Sequence, residues 1–230
     1  MPAYQLGDVI EQNIDAVYEA LADLDPEVVV VDDGSTDGTA DAIGRAKANH
    51  PQLRAVRLPS NRGKGRALLT GFDASSGDKI VFLDADLDLL PDQIPAFVAN
   101  LDNADIVVGT KRASMATGAY PGLRRVLSRI YALATGGVFR LPVSETQTGL
   151  KAFRRTVLAT VAGNVKIDRY AFDVELLVRA HAAGFSMVEA PVRLGGGASE
   201  SSLRPSMMWN LAKDTLRIAW WRFTEPGFRR

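Results

Sequence analysis

The sequence has no cysteine and only two histidines among its 230 residues. The absence of cysteine excludes disulfide bonds and thiolate metal ligands, and it is consistent with a reducing compartment. No run of about 18 apolar residues is present, so we expect no membrane-spanning segment. The N-terminus is acidic and lacks the basic-then-apolar pattern of a signal peptide. These absences favour a cytoplasmic protein.

The charges are unevenly distributed, although the formal net charge is zero. Residues 1–50 contain eleven Asp or Glu against two Lys or Arg, whereas residues 111–155 contain nine Lys or Arg and one acid, Glu145. From Ser201 to the end the counts are six basic and two acidic residues. The basic segments are either solvated faces or surfaces that meet an anionic partner.

The first half of the chain alternates between short apolar runs and segments with helical spacing. Val28–Val31 precedes a predicted helix over Thr39–Ala48, and Lys79–Leu83 precedes another over Gln93–Leu101. This alternation predicts an α/β fold with a mainly parallel sheet flanked by helices. An apolar content of 47% and the length of 230 residues are typical of a single domain.

Beyond Gly109 the pattern changes. The elements predicted there are a basic amphipathic helix over Leu123–Phe139, a short strand or turn at "TGLKAFRR", helices near Thr156–Val161 and over Phe172–Ala183, a strand over Ser186–Val192, a flexible loop over Gly195–Ser202 and a closing helix over Met207–Phe223.

Three predicted strands end in polar motifs, and parallel α/β sheets bind ligands beyond the carboxyl ends of their strands. The motifs are "DDGS" from Asp32, "SNRGKG" from Ser60 and "DADLD" from Asp84. Each of the first two has a structural explanation as a turn or a helix start. The second is neither a Walker loop nor a dinucleotide fingerprint, since Leu68 stands at the third glycine. Its Arg62 and Lys64 would suit an anion at a helix start.

The third motif is the most informative about chemistry. Carboxylates at alternate positions after a strand can converge on a hard cation, which prefers oxygen ligands. An EF-hand is excluded because Leu89 and Pro95 stand where glycine and glutamate are needed. The alternative is three solvated aspartates at a strand end.

Seven motifs together identify a known group. In chain order they are "MPAY", "VVVVDDGSTDGT", "NRGKGRALLTGF", "FLDADLD", "IVVGTKR", "ETQTGLKAFRR" and "FDVELL". With these motifs the chain resembles the inverting family-2 glycosyltransferases, which have the nucleotide-diphospho-sugar transferase (GT-A) fold. It is most similar to the dolichyl- or polyprenyl-phosphate sugar synthases, and the resemblance covers nearly the whole chain.

The resemblance implies a role for each matching residue. The nucleotide-sugar would be bound by Pro2, Ala3, Tyr4, Asp32, Asp33, Lys64, Asp84 and Ala85. A divalent metal, Mg²⁺ or Mn²⁺, would be held by Asp84, Asp86 and Asp88, the last standing where these synthases often have Gln. The acceptor phosphate would meet Arg112, Arg124, Arg125 and Arg129. The residues expected to be catalytic are Asp86, Arg112 and Arg125.

The same resemblance divides the single domain, residues 1–230, by function. Residues 1–110 would be the nucleotide-binding half and 111–203 the acceptor-binding half, followed by an amphipathic helix and tail over 204–230. Two features depart from the family pattern. About five apolar residues of a central strand normally precede "PAY", so we expect a start that has been placed too late or a truncation. The usual Asn-Glu after "PAY" is Gln5-Leu6 here, which alters one nucleotide contact.

The acceptor is predicted from the need for a general base. A sugar hydroxyl must lose a proton as it attacks, whereas a phosphate monoester is already an anion at neutral pH. Nine cations and one carboxylate between Lys111 and Arg155 favour a phosphate acceptor. Asp173 and Glu175 are the remaining candidates for a base, and a structural or gating role is equally compatible with them. The alternative for the arginines is a set of surface helix charges.

The predicted function is therefore metal-dependent, inverting sugar transfer from a nucleotide-diphospho-sugar to a polyprenyl phosphate. The last helix combines aromatic residues with flanking cations, which suits peripheral binding at the cytoplasmic membrane face; core packing or a homodimer contact is the alternative. No nucleic-acid partner is expected. A soluble hydroxyl acceptor, a sugar-phosphate nucleotidylyltransferase and a non-catalytic nucleotide-binding relative remain alternatives. The intact Asp84, Asp86 and Asp88 argue against the last of these.

Overall fold

The structure is a computed structural model, and it describes residues 1–111, 138–195, 205–225 and 228. Four arginines predicted to meet the acceptor phosphate, Arg112, Arg124, Arg125 and Arg129, lie outside these residues. So do most of the predicted helix over Leu123–Phe139 and nearly all of the predicted loop over Gly195–Ser202.

The described residues form an alternating series of strands and helices. The strands are β1 (Pro2–Ala3), β2 (Val29–Asp32), β3 (Arg54–Arg57), β4 (Lys79–Leu83), β5 (Ile106–Thr110), β6 (Leu150–Arg154) and β7 (Met187–Pro191). The α-helices are α1 (Ile10–Ala20), α2 (Thr39–Asn49), α3 (Lys64–Asp73), α4 (Ile94–Asn100), α5 (Arg155–Val161), α6 (Phe172–Ala182) and α7 (Pro205–Thr224). Short 3₁₀ turns lie at Ala22–Leu24, Pro91–Gln93 and Ala162–Asn164.

The strands form two sheets. The first has the order β1-β2-β3 with parallel pairing throughout. The second has the order β4-β6-β5-β7, in which β6 runs antiparallel to both β4 and β5 and β7 is parallel to β5. The α/β class is confirmed, and one reversed strand, β6, lies between two strands of the first half of the chain.

The buried strands explain the apolar runs of the sequence. All four residues of β2 are buried, as are all five of β5, because helices cover both faces of such strands. The strand β1 spans the two residues Pro2–Ala3, and it is short, as expected from the absence of the apolar residues that precede "PAY" in the family. Beside it, a cavity of about 290 Å³ lies between β2 and β4 and is lined by apolar side chains that include Val29, Ile80 and Phe82.

The helix α7 packs on α6 through one face. Ile218 is fully buried there, in a cluster with Phe139, Ile167, Val174 and Val178. This confirms a closing helix, which runs from Pro205 to Thr224. Among the described residues, no helix is both long enough and apolar enough to cross a bilayer.

Candidate active site

An open cleft of about 630 Å³ lies where the strands β1, β2 and β4 end. The chain reverses or turns sharply at each of these ends, so polar side chains from three loops meet on one rim. The residues that line the cleft are Pro2, Ala3, Tyr4, Leu6, Asp33, Asn61, Gly63, Lys64, Asp84, Ala85, Asp86, Gln147, Arg169, Tyr170 and Asp173.

Asp84 follows β4 and is fixed from two sides. Its backbone N–H donates to the carbonyl of Gly149 at 3.0 Å, and a Cβ on Gly149 would lie 2.4 Å from the carboxylate of Asp84. A glycine is therefore needed for this approach. On the other side, the ammonium of Lys64 lies 2.7 and 2.9 Å from the two carboxylate oxygens of Asp84. Burial alone would lower the pKa of Lys64, but Asp84 and Asp173 raise it above the usual value.

Asp86 lies at the rim and accepts the backbone N–H of Asp88 at 3.2 Å. Loss of hydration beside the cleft wall, and next the neighbouring carboxylate of Asp84, raise the pKa of Asp86 above its usual value. The charged form of Asp86 is therefore disfavoured where it lies. Within the described parts of the chain, no group of three or more acidic, His or Cys side chains is arranged to hold a metal ion. Joint ligation by Asp84, Asp86 and Asp88 stays a prediction.

The paired carboxylates after β2 have different surroundings. Asp33 accepts the backbone N–H of Arg62 at 2.7 Å and that of Gly63 at 2.8 Å, so both of its oxygens anchor the loop before α3. Asp32 is 2% exposed; one oxygen accepts the N–H of Ser35 and the other lies 3.2 Å from the guanidinium of Arg57. Hydrogen bonds and an ion pair therefore offset the repulsion between these adjacent charges. Nucleotide binding by either residue stays a prediction.

The N-terminus of α3 is capped by a residue from the second half of the chain. The carbonyl of Asp168 accepts the N–H of Gly65 at 2.8 Å and that of Arg66 at 3.3 Å. The carboxylate of Asp168 pairs with Arg66 at 2.8 Å and with Arg62 at 3.4 Å. Arg62 and Lys64 were expected to suit an anion at this helix start, and this stays a prediction. In the structure Arg62 pairs with Asp168 and Lys64 with Asp84, and the N–H groups of Gly65 and Arg66 already have a protein acceptor.

Asp173 lines the cleft from α6 and is held from below. The ammonium of Lys151 donates to Asp173 at 2.7 Å and to the carbonyl of Thr148 at 2.6 Å. Burial lowers the pKa of Lys151, and the carboxylate of Asp173 opposes this effect. The pair is a charge-assisted hydrogen bond in a water-poor environment, which fixes the orientation of the Asp173 carboxylate.

The cleft gathers most of the predicted nucleotide-sugar residues. Those that line it are Pro2, Ala3, Tyr4, Asp33, Lys64, Asp84, Ala85 and Asp86. Asp32 lies buried behind Asp33, and Asp88 meets Asp86 through its backbone N–H. Three lining residues were given no role by the sequence reasoning, namely Gln147, Arg169 and Tyr170. Gln147 stands within the motif "ETQTGLKAFRR", whereas the only signal for Arg169 and Tyr170 was their proximity to "FDVELL". The N–H₂ of Gln147 donates to the carbonyl of Tyr170 at 2.9 Å.

Solved structures share this architecture. Glucosyl-3-phosphoglycerate synthase from Mycobacterium tuberculosis, solved with uridine diphosphate, has a TM-score of 0.71 and 22% identity, covering 98% of this chain and 79% of that one. The mannosyltransferase PcManGT from Pyrobaculum calidifontis, solved with GDP-Man and Mn²⁺, has a TM-score of 0.63 and 25% identity, covering 99% of this chain and 65% of its own. The fold is that of the nucleotide-diphospho-sugar transferases, GT-A, as predicted.

Sequence comparison gives the family. Residues 1–161 match the family described as Glycosyl transferase family 2, and the chain belongs to this family. Dolichyl-phosphate beta-glucosyltransferase ALG5C of Trichomonas vaginalis is 30% identical over 236 residues, which cover 95% of this chain and 69% of that protein. An undecaprenyl-phosphate 4-deoxy-4-formamido-L-arabinose transferase of Pseudomonas fluorescens is 34% identical over 162 residues, which cover 69% of this chain and 46% of that protein. The resemblance predicted from the motifs is confirmed.

Proposed function

We propose that this chain transfers a sugar from a nucleotide-diphospho-sugar to a polyprenyl phosphate, with inversion at the anomeric carbon. The observation that carries this proposal is the cleft lined by Lys64, Asp84 and Asp86 together with Pro2, Ala3 and Tyr4, which were predicted to bind the nucleotide. The relatives named above act, by their names, on dolichyl or undecaprenyl phosphate. Since the chain spans 69% and 46% of those relatives, their acceptors come to it as a proposal.

A divalent metal fits the charge of the site. Carboxylate oxygens are the ligands that Mg²⁺ and Mn²⁺ prefer. The pKa of Asp86 is raised mainly by loss of hydration and next by the charge of Asp84, and a cation would offset the second effect. We propose Asp84, Asp86 and Asp88 as its ligands, Mn²⁺ being present in the related PcManGT structure. When bound, the metal would neutralise charge on the diphosphate of the donor.

The transfer needs little proton chemistry if the acceptor is a phosphate. The bond between the anomeric carbon and the β-phosphate oxygen breaks, and its electron pair leaves with the nucleoside diphosphate. An acceptor phosphate oxygen, already anionic, forms the new bond from the opposite face. Three of the four described cleft carboxylates are engaged otherwise: Asp33 anchors backbone amides, Asp84 faces Lys64 and Asp173 faces Lys151. The fourth, Asp86, is the one proposed above as a metal ligand. This arrangement supports an acceptor that requires no base.

We propose peripheral membrane contact through α7. Trp209, Leu216, Trp220 and Phe223 are 73%, 71%, 68% and 71% exposed, and their spacing of seven, four and three residues places them on one helix face. Lys213, Arg217 and Arg222 flank this aromatic stripe, as in helices that lie on anionic lipid. We propose, as predicted from the sequence, that this contact is with the cytoplasmic face of the membrane. A second copy of the chain is the alternative partner.

Activity is tested by incubating the protein with radiolabelled UDP- and GDP-sugars, Mn²⁺ or Mg²⁺ and a polyprenyl phosphate. We expect label in the lipid fraction. Label that appears only on water-soluble sugars or phosphates would remove the lipid acceptor and favour the soluble one. Formation of a nucleotide sugar from sugar 1-phosphate and a nucleoside triphosphate would instead favour a nucleotidylyltransferase.

Membrane contact is tested by co-sedimentation with vesicles of phosphatidylcholine containing 20 mol% phosphatidylglycerol, a composition chosen for its negative charge. We expect the double variant Trp220→Ser/Phe223→Ser to lose binding, because burial of these exposed rings in the interface drives it. Exposed Leu24, which is 49% exposed and distant in sequence from α7, supplies a control variant, Leu24→Ser, which should bind like the wild type. If the α7 variant binds vesicles as the wild type does but no longer forms a dimer, the aromatic face of α7 is instead a contact with a second copy of the chain.

A further inference from the structure

We infer that Arg169 is the guanidinium that contacts the diphosphate of the donor nucleotide, an inference that rests on the proposed function. Arg169 was assigned no role by the motifs of the sequence. It lines the cleft together with Asn61 and Gly63, from the loop before α3, and Lys64, the first residue of α3.

A diphosphate bound in the cleft needs a further cation. Four carboxylates line the cleft, those of Asp33, Asp84, Asp86 and Asp173, whereas the described cations in its lining are Lys64 and Arg169, and Lys151 beneath it neutralises Asp173. Lys64 is committed to Asp84, since its ammonium lies within 2.9 Å of both carboxylate oxygens. A diphosphate adds at least two negative charges to this space. A metal at the aspartates would balance part of them, and Arg169 supplies the remaining charge within the described lining.

Arg169 is available for such a contact. Within the described part of the chain, its recorded partner is the backbone carbonyl of Asn61, at 3.1 Å from one terminal nitrogen. A guanidinium has five N–H donors and binds phosphate oxygens through two of them at once. Its neighbours Arg62 and Arg66 differ, because both pair with the carboxylate of Asp168.

The backbone just before Arg169 is fixed, and the exposed side chain makes two contacts at the cleft, with Gly63 and with the carbonyl of Asn61. Glu175 is fully buried and accepts the backbone N–H groups of Lys166 and Ile167 at 2.8–3.1 Å. The carbonyl of Asp168 caps α3. The stem of Arg169 lies against Gly63, where an added Cβ would come within 2.6 Å of its Cγ. Such a pre-organised donor stabilises developing charge without reorganisation.

In the reaction, this contact would act on the leaving group. As the anomeric carbon–oxygen bond breaks, its electron pair moves to the β-phosphate oxygen, and the nucleoside diphosphate gains one negative charge. Arg169 would donate hydrogen bonds to these oxygens and keep its own protons. The acceptor oxygen forms the new bond, so no proton is transferred at Arg169.

The test compares nucleotide binding by the wild type and by Arg169→Gln, using UDP, GDP, UMP and GMP with Mn²⁺ in isothermal titration. Loss of a charge-assisted hydrogen bond should weaken binding of the preferred diphosphate by about 10- to 100-fold. Binding of the monophosphate, which lacks the β-phosphate, should change by less than about threefold on the same reasoning. Arg169→Lys keeps the charge without the planar fork and should lie between the two.

Arg66→Gln is the matched control, because Arg66 is a nearby arginine that pairs with the carboxylate of Asp168 and does not line the cleft. It should bind both nucleotides as the wild type does. Equal weakening of mono- and diphosphate by Arg169→Gln, or no weakening of either, would overturn the assignment. If the Gln variant does not fold, the diphosphate preference of Arg169→Lys decides in its place; a preference equal to that of the wild type overturns the assignment.

The two proposals fail differently. If Arg169→Gln selectively loses diphosphate binding but the wild type does not transfer sugar to polyprenyl phosphate, the diphosphate contact of Arg169 is supported and the lipid acceptor is contradicted. In another outcome, the wild type transfers sugar to polyprenyl phosphate, and Arg169→Gln has the same kcat and the same inhibition by UDP and GDP as the wild type. This would support the proposed function and overturn the assignment of Arg169. A wild type that binds neither diphosphate in the presence of Mn²⁺ would contradict both.

Discussion

The ammonium of Lys151 lies 2.7 Å from the carboxylate of Asp173, with side chains 2% and 8% exposed. The pair joins β6 to α6 directly beneath the cleft. A buried ion pair contributes little net stability, but removing one partner leaves an uncompensated charge. This geometry favours a structural role for Asp173 over the role of a general base, because its carboxylate is already paired with Lys151.

We expect Lys151→Met to lower the free energy of unfolding by about 3–5 kcal/mol, because it strands the Asp173 carboxylate. The double variant Lys151→Met/Asp173→Asn, which removes both charges, should recover most of this loss. Lys79, which pairs with Asp102 at the surface, supplies the control: Lys79→Met should cost less than about 1 kcal/mol. Urea denaturation measures all three. A loss in Lys151→Met no larger than the control would show that the pair is not what holds β6 and α6.

Asp86→Ala should reduce sugar transfer by at least about 100-fold, which is typical for loss of a group that stabilises developing charge. The stability of the ligand-free protein should stay the same or rise, because the raised pKa of Asp86 shows that its charged form is disfavoured where it lies. Transfer assays and urea denaturation of the same preparation check the two parts. Chelation by EDTA should abolish the wild-type activity, and Mn²⁺ or Mg²⁺ should restore it. Normal activity of Asp86→Ala would exclude its metal role.

Gly63→Ala should destabilise the protein by about 1–3 kcal/mol, since Gly63 has φ +107°, which an L side chain rarely adopts. The added Cβ would also come within 2.6 Å of the Asp168 carbonyl and of the Arg169 stem, so donor affinity should fall as well. Gly44 in α2 is the matched control, because nothing lies within 4 Å of its Cβ position. Gly44→Ala should stabilise by about 0.5–1 kcal/mol. Equal stability of the two variants in thermal unfolding would contradict the close approach at Gly63.

Acid should weaken one contact between the second sheet's strands. The carboxylate of Asp105 accepts the hydroxyl of Ser186 at 2.7 Å and its N–H at 2.8 Å. The hydroxyl hydrogen bond is the main cause that holds the pKa of Asp105 below its usual value, although burial opposes it. A depressed carboxyl pKa stabilises the fold above the unfolded value, about 3.9, and this contribution is lost as pH falls through the folded value.

Ser186→Ala tests this dependence. The wild type should have a larger free energy of unfolding than Ser186→Ala. The part of this difference that comes from the Asp105 carboxylate should be constant between pH 5 and 8 and should shrink below about pH 4. Urea denaturation at a series of pH values measures it, with Thr160→Ala as the control, because its hydroxyl donates to the uncharged carbonyl of Thr156. A Ser186→Ala difference that follows the control at every pH would contradict the role of Asp105.

The sequence predicts the parts of this fold that depend on local patterns. The apolar runs before Asp32 and Asp84 mark β2 and β4, and the α/β class follows from their alternation with helices. The reversed direction of β6 was not predictable in this way, because both strand neighbours of β6 come from distant segments. The same holds for the Asp168 cap on α3 and for the Lys151–Asp173 pair. These contacts join residues 22 to about 100 positions apart, and periodicity carries no information about them.

The insertion of β6 between β4 and β5 limits how acceptor choice can change in such a domain. Residues 1–110 leave β4 and β5 without their shared neighbour, and α3 without the carbonyl that caps it. The division at residue 110 therefore does not mark two separately folding modules. Recombination that exchanges the second half as a block would have to re-form both pairings of β6 and the cap on α3, so new acceptors are more readily reached by replacing individual side chains around a continuous scaffold.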